Sequence, residues 1–147
     1  MKLATATVLA VLCAGPAAAG VAGAYRDVGP RVEKPYDGRV PAWITTARVS
    51  RVGPKRYSIR MSTARPEPGG CTGEVTATGT LIGTAIMAAA SDAADCKLAI
   101  TFERSTMRVR EQGNCFTFRG MQCHFGGNLK RERGGGGAVS PSRHNGP

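Results

Sequence analysis

Two cysteines and a histidine lie close together in the segment GNCFTFRGMQCHFGG, residues 113–127, and these side chains could do chemistry. Cys115, Cys123 and His124 could ligate zinc, form a redox-active pair or include a structural disulfide. Zinc knuckles space their cysteines by about two to four residues, and redox pairs are typically C-x-x-C. Seven residues separate Cys115 from Cys123. The spacing therefore favours a structural disulfide, with no metal and no cofactor.

The start of the chain has the pattern of a secretory signal peptide. Lys2 precedes an uncharged apolar run over residues 3–13, and small residues follow as far as Ala24. An A-x-A motif after such a run is typical of a cleavage site, and the run is too short to span a bilayer. We expect cleavage after Ala24, with cleavage after Ala19 as the alternative. The sequence thus predicts a periplasmic or extracellular protein whose mature chain has no transmembrane segment.

Export determines how the cysteines are interpreted. Cys13 belongs to the predicted signal peptide, and the remaining cysteines are Cys71, Cys96, Cys115 and Cys123. An even cysteine count in a short exported chain predicts two disulfides, for which three pairings are possible. We favour Cys71–Cys96 and Cys115–Cys123.

Alternation of apolar and polar residues indicates strands along most of the chain. It is clearest in RYSIRMS, CTGEVTATG, CKLAITFE and TMRVRE, which are separated by turn residues such as Gly53-Pro54-Lys55. The alanine-rich residues 85–94 fit either a strand or a short helix, and the flanking strands favour a strand. The pattern predicts an all-β antiparallel meander of about seven or eight strands, forming a small barrel or sandwich. Whether a barrel interior would be filled or hollow stays open.

Composition divides the chain into four parts. After the signal peptide, residues 1–24, three prolines in residues 25–41 predict an extended N-terminal arm rather than a central strand. Residues 42–130 are expected to form the disulfide-bonded β domain. Residues 131–147 lack apolar periodicity and predict a disordered glycine-rich tail. Since residues 42–130 contain few large apolar side chains, we expect the disulfides to be needed for stability.

Basic residues outnumber acidic ones by 20 to 10. No acid occurs in residues 38–66, which include Arg48, Arg56 and Arg60. Exported proteins rarely meet nucleic acid, so we expect no nucleic-acid function. An anionic polysaccharide, a lipid headgroup or an envelope protein is the natural class of partner. These classes apply if the basic surface has a partner, and a solvated basic surface without a dedicated site is the interpretation that the composition favours.

The motifs of common enzymes do not occur in this sequence. It contains no P-loop, G-x-S-x-G or H-E-x-x-H. His124 lies beside an expected disulfide, and His144 lies in the predicted tail. A carboxylate-dependent hydrolase using Glu74, Asp92 or Asp95 is the remaining enzymatic alternative. We therefore expect a non-enzymatic binding or envelope-associated protein.

The segment between Cys115 and Cys123 is a second candidate for binding. Arg119, Met121 and Gln122 are expected at an exposed tip, and a disulfide would pre-organise this tip for a protein partner, as in an inhibitor. The segment also contains Phe116 and Phe118. We expect at least one of these phenylalanines to pack in the core, and a binding role is the alternative.

Residues 71–130 resemble small exported proteins of proteobacteria that carry a four-cysteine β-rich domain and have no assigned function. The resemblance rests on CTGEV, CKLAITF and GNCFTFRGMQCHFGGNLKR. It implies a compact disulfide-bonded β domain and no catalytic residue. Small periplasmic lysozyme inhibitors are a broader analogy, being exported, disulfide-bonded and β-rich. The basic charge of this chain fits that analogy poorly, because lysozyme is usually basic too.

Overall fold

Eight antiparallel strands close into a small barrel. The computed structural model describes residues 20–34, 38–66 and 70–133. Its strands are β1 (Gly23–Val28), β2 (Arg31–Lys34), β3 (Gly38–Pro41), β4 (Ile44–Gly53), β5 (Arg56–Arg65), β6 (Cys71–Ile82), β7 (Ala85–Ala90), β8 (Cys96–Glu103), β9 (Thr106–Gly113) and β10 (Gly127–Arg131). The order around the barrel is β1-β10-β9-β8-β7-β6-β5-β4, with β1 also paired to β4. The predicted all-β antiparallel meander with two disulfides is confirmed, and its architecture is a barrel.

The two ends of the barrel differ. At one end, tight turns follow β4, β6 and β8, and we call it the hairpin end. At the other end, residues 114–126 connect β9 to β10 and include the 3-10 turn Phe116–Phe118. Both disulfides lie there, and we call it the disulfide end. The expected strand at Cys123 begins only at Gly127, because residues 114–126 cross this end of the barrel.

The alanine-rich segment forms β7, so the strand expected there is confirmed and the helix alternative is wrong. Ile86, Ala88 and Ala90 point into the barrel and are at most 5% exposed. Pairing with β6 on one side and β8 on the other uses the backbone hydrogen-bonding groups along both edges of β7. Burial and pairing therefore outweigh the intrinsic helix propensity of alanine.

The expected disulfide pairing is wrong. The bonds are Cys71–Cys123 and Cys96–Cys115, with Cα–Cα distances of 5.8 and 4.7 Å. Cys71 begins β6 and Cys96 begins β8, and β7 separates these strands. Two strand spacings amount to about 10 Å, whereas a disulfide requires Cα atoms within about 7 Å. Each bond instead fastens the crossing segment 114–126 to a strand: Cys115 to β8 and Cys123 to β6.

The N-terminal domain boundary expected at residue 42 is also wrong. β1 is a barrel strand, and its Tyr25 is 1% exposed in the core. Pro35 lies outside the described residues, and the other two prolines are compatible with this arrangement because Pro30 follows β1 and Pro41 ends β3. There, the Ala42 N–H donates to the Pro30 carbonyl at 2.7 Å. Proline is tolerated at strand ends, where no ladder donor is lost. β2 and β3 pair with each other as a separate two-stranded ribbon.

The C-terminal boundary moves as well, since Arg131 belongs to β10 and not to a tail. Residues 134–147, most of the predicted tail, lie outside the described residues, as do residues 1–19 of the predicted signal peptide. Within the described part of the chain, no helix is long and apolar enough to cross a membrane.

Candidate binding surfaces

Cations of like charge face each other on the outside of the barrel. Arg48 on β4 lies directly opposite Arg60 on β5, and Arg26 on β1 lies opposite Lys130 on β10. All four side chains are exposed. β10, β1, β4 and β5 are consecutive in the barrel, so both pairs lie on one continuous surface. We call these residues, with Arg56 on the same side of β5, the basic face.

Few carboxylates neutralise the basic face. Arg26 Nη1 lies 3.9 Å from Glu132 Oε1, in a pair whose side chains are 47% and 44% exposed. In the described ranges, no other cation of the basic face has a carboxylate within 4.0 Å. Like charges directly opposite each other across strands repel. Cations therefore outnumber the nearby carboxylates of Glu74 and Glu132 on this surface, and such an excess of positive charge attracts anions.

Hydroxyl side chains separate the cations. The hydroxyl oxygens of Thr46 and Ser62 lie 2.8 Å apart, and Ser50 lies opposite Ser58. A shallow depression of about 270 Å³ lies between the strands. Its lining includes Thr46, Arg48, Arg60, Ser62, Glu74 and Glu132. Hydroxyls donate hydrogen bonds as readily as they accept them, so they could assist the arginines in holding an anion.

Sequence reasoning found part of this surface. Arg48, Arg56 and Arg60 alternate with buried residues, and the structure places all three on the same outer side of β4 and β5. Arg26 and Lys130 were missed because their approach depends on the closure of β1 onto β10. Alternation in each segment was the available signal, but it does not reveal which strands close a barrel.

Arg119 is a structural residue and not part of an exposed tip, which corrects the sequence prediction. Its Nε donates to Glu111 Oε1 at 2.9 Å and its Nη2 donates to Glu111 Oε2 at 2.7 Å. The two side chains are only 10% and 15% exposed. The Phe125 N–H donates to the same carboxylate. Glu111 continues the inward-facing row of β9, and a partly buried carboxylate of this kind requires such partners.

The rest of the expected tip is exposed. Met121 is 88% exposed and Gln122 is exposed. Phe116, outside the expected tip, is 58% exposed, with the Arg119 guanidinium 4.8 Å from its ring centroid. Phe118 packs against the core, so the expected burial of at least one phenylalanine is confirmed. The crossing segment thus closes the disulfide end of the barrel and leaves the side chains of Met121 and Phe116 exposed to solvent.

The barrel interior is filled in the middle and open at the hairpin end. Ile59, Ile86 and Ile100 are at most 1% exposed. Beyond them, a cavity of about 650 Å³ opens between the hairpin turns. Its lining includes Val21, Tyr25, Tyr57, Leu81, Phe102, Arg104 and Arg131. The lining is thus mainly aromatic and aliphatic, with two cations.

A hydrogen-bonded pair marks the wall of this cavity. Arg131 Nη2 donates to the Tyr25 hydroxyl at 2.6 Å, and its Cζ lies 5.1 Å from the Tyr25 ring centroid. The Tyr25 hydroxyl in turn donates to the Val21 carbonyl at 2.8 Å. Burial raises the pKa of the Tyr25 phenol, while the charge and the hydrogen bond of Arg131 act to lower it. Tyr25 is therefore a neutral donor near pH 7.

The carboxylates named for a hydrolase are solvated. Glu74 lies on the outer side of β6, and Asp92 and Asp95 lie in the connection between β7 and β8, all three exposed. His124 is also exposed, with Nδ1 3.0 Å from the Gly126 carbonyl. Among residues 20–34, 38–66 and 70–133, no group of three or more His, Cys, Asp or Glu side chains could hold a metal ion.

Three features of the described residues are thus candidates for binding: the basic face, the exposed tip at the disulfide end and the cavity at the hairpin end. Comparison with protein-family models, with curated proteins and with solved structures gives no match to this chain.

Proposed function

We propose that this chain is an exported, non-enzymatic binding protein whose basic face holds an anionic polysaccharide. The two like-charged cross-strand pairs, Arg48–Arg60 and Arg26–Lys130, carry the proposal. A carboxylate or sulfate between Arg48 and Arg60 would relieve their repulsion. It would also accept charge-assisted hydrogen bonds from both guanidinium groups. Two disulfides are compatible with the oxidising compartment that this function requires.

The polar surroundings of the cations favour a polysaccharide over a lipid surface. Binding to a bilayer surface needs apolar side chains that enter the acyl region. Val28 and Val52 are the exposed large apolar residues of β1 and β4, and both lie near strand ends, while hydroxyls lie between the cations. An extended row of cations among hydroxyls fits a hydrophilic chain with repeating acidic groups.

Retention on an immobilised polyanion tests the proposal. Heparin and polygalacturonate serve as sulfated and carboxylated probes, and vesicles of phosphatidylglycerol serve as the lipid arm. The variant Arg48→Glu/Arg60→Glu should elute from both polysaccharides at clearly lower salt than the wild type. Lys97→Glu/Arg110→Glu on β8 and β9 makes the same change in net charge and is the matched control.

If both double variants elute at equally reduced salt concentrations, net charge alone causes retention, and the proposal is overturned. Binding to the vesicles without binding to either polysaccharide would identify a membrane, and not a polysaccharide, as the partner of the basic face.

Protein binding through the disulfide end is a second candidate function. Met121 is 88% exposed and Phe116 is 58% exposed on a segment held by both disulfides, and exposed apolar side chains on a rigid support are typical of interfaces. A photo-reactive residue in place of Met121 should cross-link a partner in the producing cell. The same residue in place of Lys97 should not, and equal cross-linking at both positions contradicts this role.

A further inference from the structure

The cavity at the hairpin end has the dimensions and lining of a small-molecule site. Its volume of about 650 Å³ lies within the range of roughly 300–1,000 Å³ that is usual for such sites. Tyr57, Leu81 and Phe102 line it from three different strands. Tyr57 and Leu81 are only partly buried although they belong to the inward-facing rows, so their apolar surface is available to a ligand.

Arg131 contributes to this cavity a guanidinium group of which only some N–H donors have hydrogen-bond acceptors. Three of its N–H groups have acceptors: the carbonyls of Gly20 and Ala22 and the hydroxyl of Tyr25. A guanidinium has five N–H donors, so two of them have no acceptor among the described residues. No carboxylate of that part of the chain lies within 4.0 Å of Arg131. Arg104, from the turn after β8, adds a second cation to the lining.

The position of Arg131 makes this charge unusual. Arg131 continues the inward-facing row of β10 after Leu129, which is 0% exposed. An apolar residue would continue the core there without the cost of desolvating a charge. The hydrogen bonds to Gly20 and Ala22 instead hold the guanidinium beside the aromatic ring of Tyr25, in the lining of an apolar cavity.

We propose that the cavity at the hairpin end binds a small amphiphile with a carboxylate head group. Its head group accepts hydrogen bonds from the unused donors of Arg131, and its apolar part lies among Tyr57, Leu81 and Phe102. This site is separate from the basic face, which lies on the outside of the barrel, and does not depend on the proposed polysaccharide function.

Dodecanoate is the probe, and the protein is the mature chain purified after export. Calorimetry should show one dodecanoate per chain, with the neutral methyl ester and the cationic dodecyltrimethylammonium binding at least about tenfold more weakly. Arg131→Gln should weaken dodecanoate binding by about tenfold or more, because a charge-assisted hydrogen bond is lost. Arg60→Gln removes the same charge from the basic face and should leave the affinity unchanged.

Equal affinity for the three amphiphiles, or equal effects of Arg131→Gln and Arg60→Gln, would overturn this proposal. Because Arg131 also fastens Gly20 and Ala22, a second variant avoids the risk of unfolding. Leu81→Glu keeps these contacts and places a carboxylate in the partly exposed wall of the cavity, so it should abolish dodecanoate binding. An unchanged affinity in Leu81→Glu contradicts the site.

Amide chemical-shift changes on adding dodecanoate locate the bound molecule. They should centre on Leu81, Phe102 and Ser105, a further residue of the cavity lining. Changes confined to the neighbourhood of Arg48 and Arg60 would assign the binding to the basic face and overturn the cavity site, while leaving the polysaccharide proposal intact.

Discussion

Glu111 and Arg119 form a bidentate ion pair that fastens the crossing segment to the barrel, with N···O distances of 2.9 and 2.7 Å. Glu111 belongs to β9, whereas Arg119 lies in the middle of residues 114–126. The same carboxylate accepts the Phe125 N–H near the end of that segment. Glu111 therefore holds the crossing segment at two points, one between Cys115 and Cys123 and one just after Cys123.

Glu111→Gln should destabilise the protein by about 3 kcal/mol, because it leaves the largely buried guanidinium of Arg119 without a counter-charge. Urea unfolding with the disulfides intact measures this loss. Glu103→Gln is the control, since Glu103 is 83% exposed and 4.0 Å from Arg108. That exposed pair should contribute less than about 0.5 kcal/mol. Equal losses in the two variants would show that the Glu111–Arg119 pair does not hold the disulfide end.

Peptide mapping without reduction should recover Cys71 linked to Cys123 and Cys96 linked to Cys115. Cleavage after Glu74 separates Cys71 from Cys96, and cleavage after Arg119 separates Cys115 from Cys123. A further cleavage after Arg104 separates Cys96 from Cys115, so each cysteine lies on its own peptide and every pairing gives a different set of linked peptides. Recovery of a Cys71–Cys96 peptide would contradict the path of the crossing segment.

The mature chain should begin at Gly20 and not at Tyr25. Cleavage after Ala24 would remove Gly23 and Ala24, which pair with β4, together with the Gly20 and Ala22 carbonyls that accept from Arg131. Cleavage after Ala19 leaves these contacts in place. Intact mass measurement of the exported protein distinguishes the two products, and a chain that starts at Tyr25 would contradict this prediction.

Stability should fall at alkaline pH partly through Tyr25. Burial raises the pKa of its phenol despite the opposing effect of Arg131, so the folded state keeps this proton more tightly than the unfolded state. The stabilisation is complete below the unfolded pKa of about 10 and is lost as the pH rises through the higher folded value. Tyr25→Phe should therefore show a shallower loss of unfolding free energy above about pH 9.5. If the unfolding free energy falls with pH at the same rate in the wild type and in Tyr25→Phe, Tyr25 makes no such contribution.

Local sequence was sufficient for most of the barrel strands. Residues 56–62 and 96–103 alternate so regularly that their inner faces can be identified without knowing their partners. β1 is different because the contacts that define it are remote in sequence: Tyr25 pairs with Arg131 and with Ala47. The prolines next to β1 suggested an arm, and the glycine-rich residues after β10 suggested that a tail begins at Arg131.

The candidate site residues likewise fall into those that local sequence identifies and those that depend on contacts remote in sequence. Arg48 and Arg60 were predicted as binding residues from the acid-free run 38–66, and in the structure each alternates with buried residues in its own strand. Arg119 was misassigned because its partner, Glu111, becomes identifiable only when the crossing segment lies over the end of β9. The disulfide pairing depends on strand order for the same reason, since cysteine spacing alone permits three pairings.

The salt dependence of polysaccharide binding tests the central claim most directly. The logarithm of the association constant for heparin should fall linearly with the logarithm of salt concentration, with a slope set by the number of cations in contact. Arg48→Ala/Arg60→Ala should reduce the magnitude of this slope by about two, because two contacts are removed. Lys97→Ala/Arg110→Ala, on the far strands, should leave it unchanged. Equal slopes in the wild type and in Arg48→Ala/Arg60→Ala would contradict a role for the basic face.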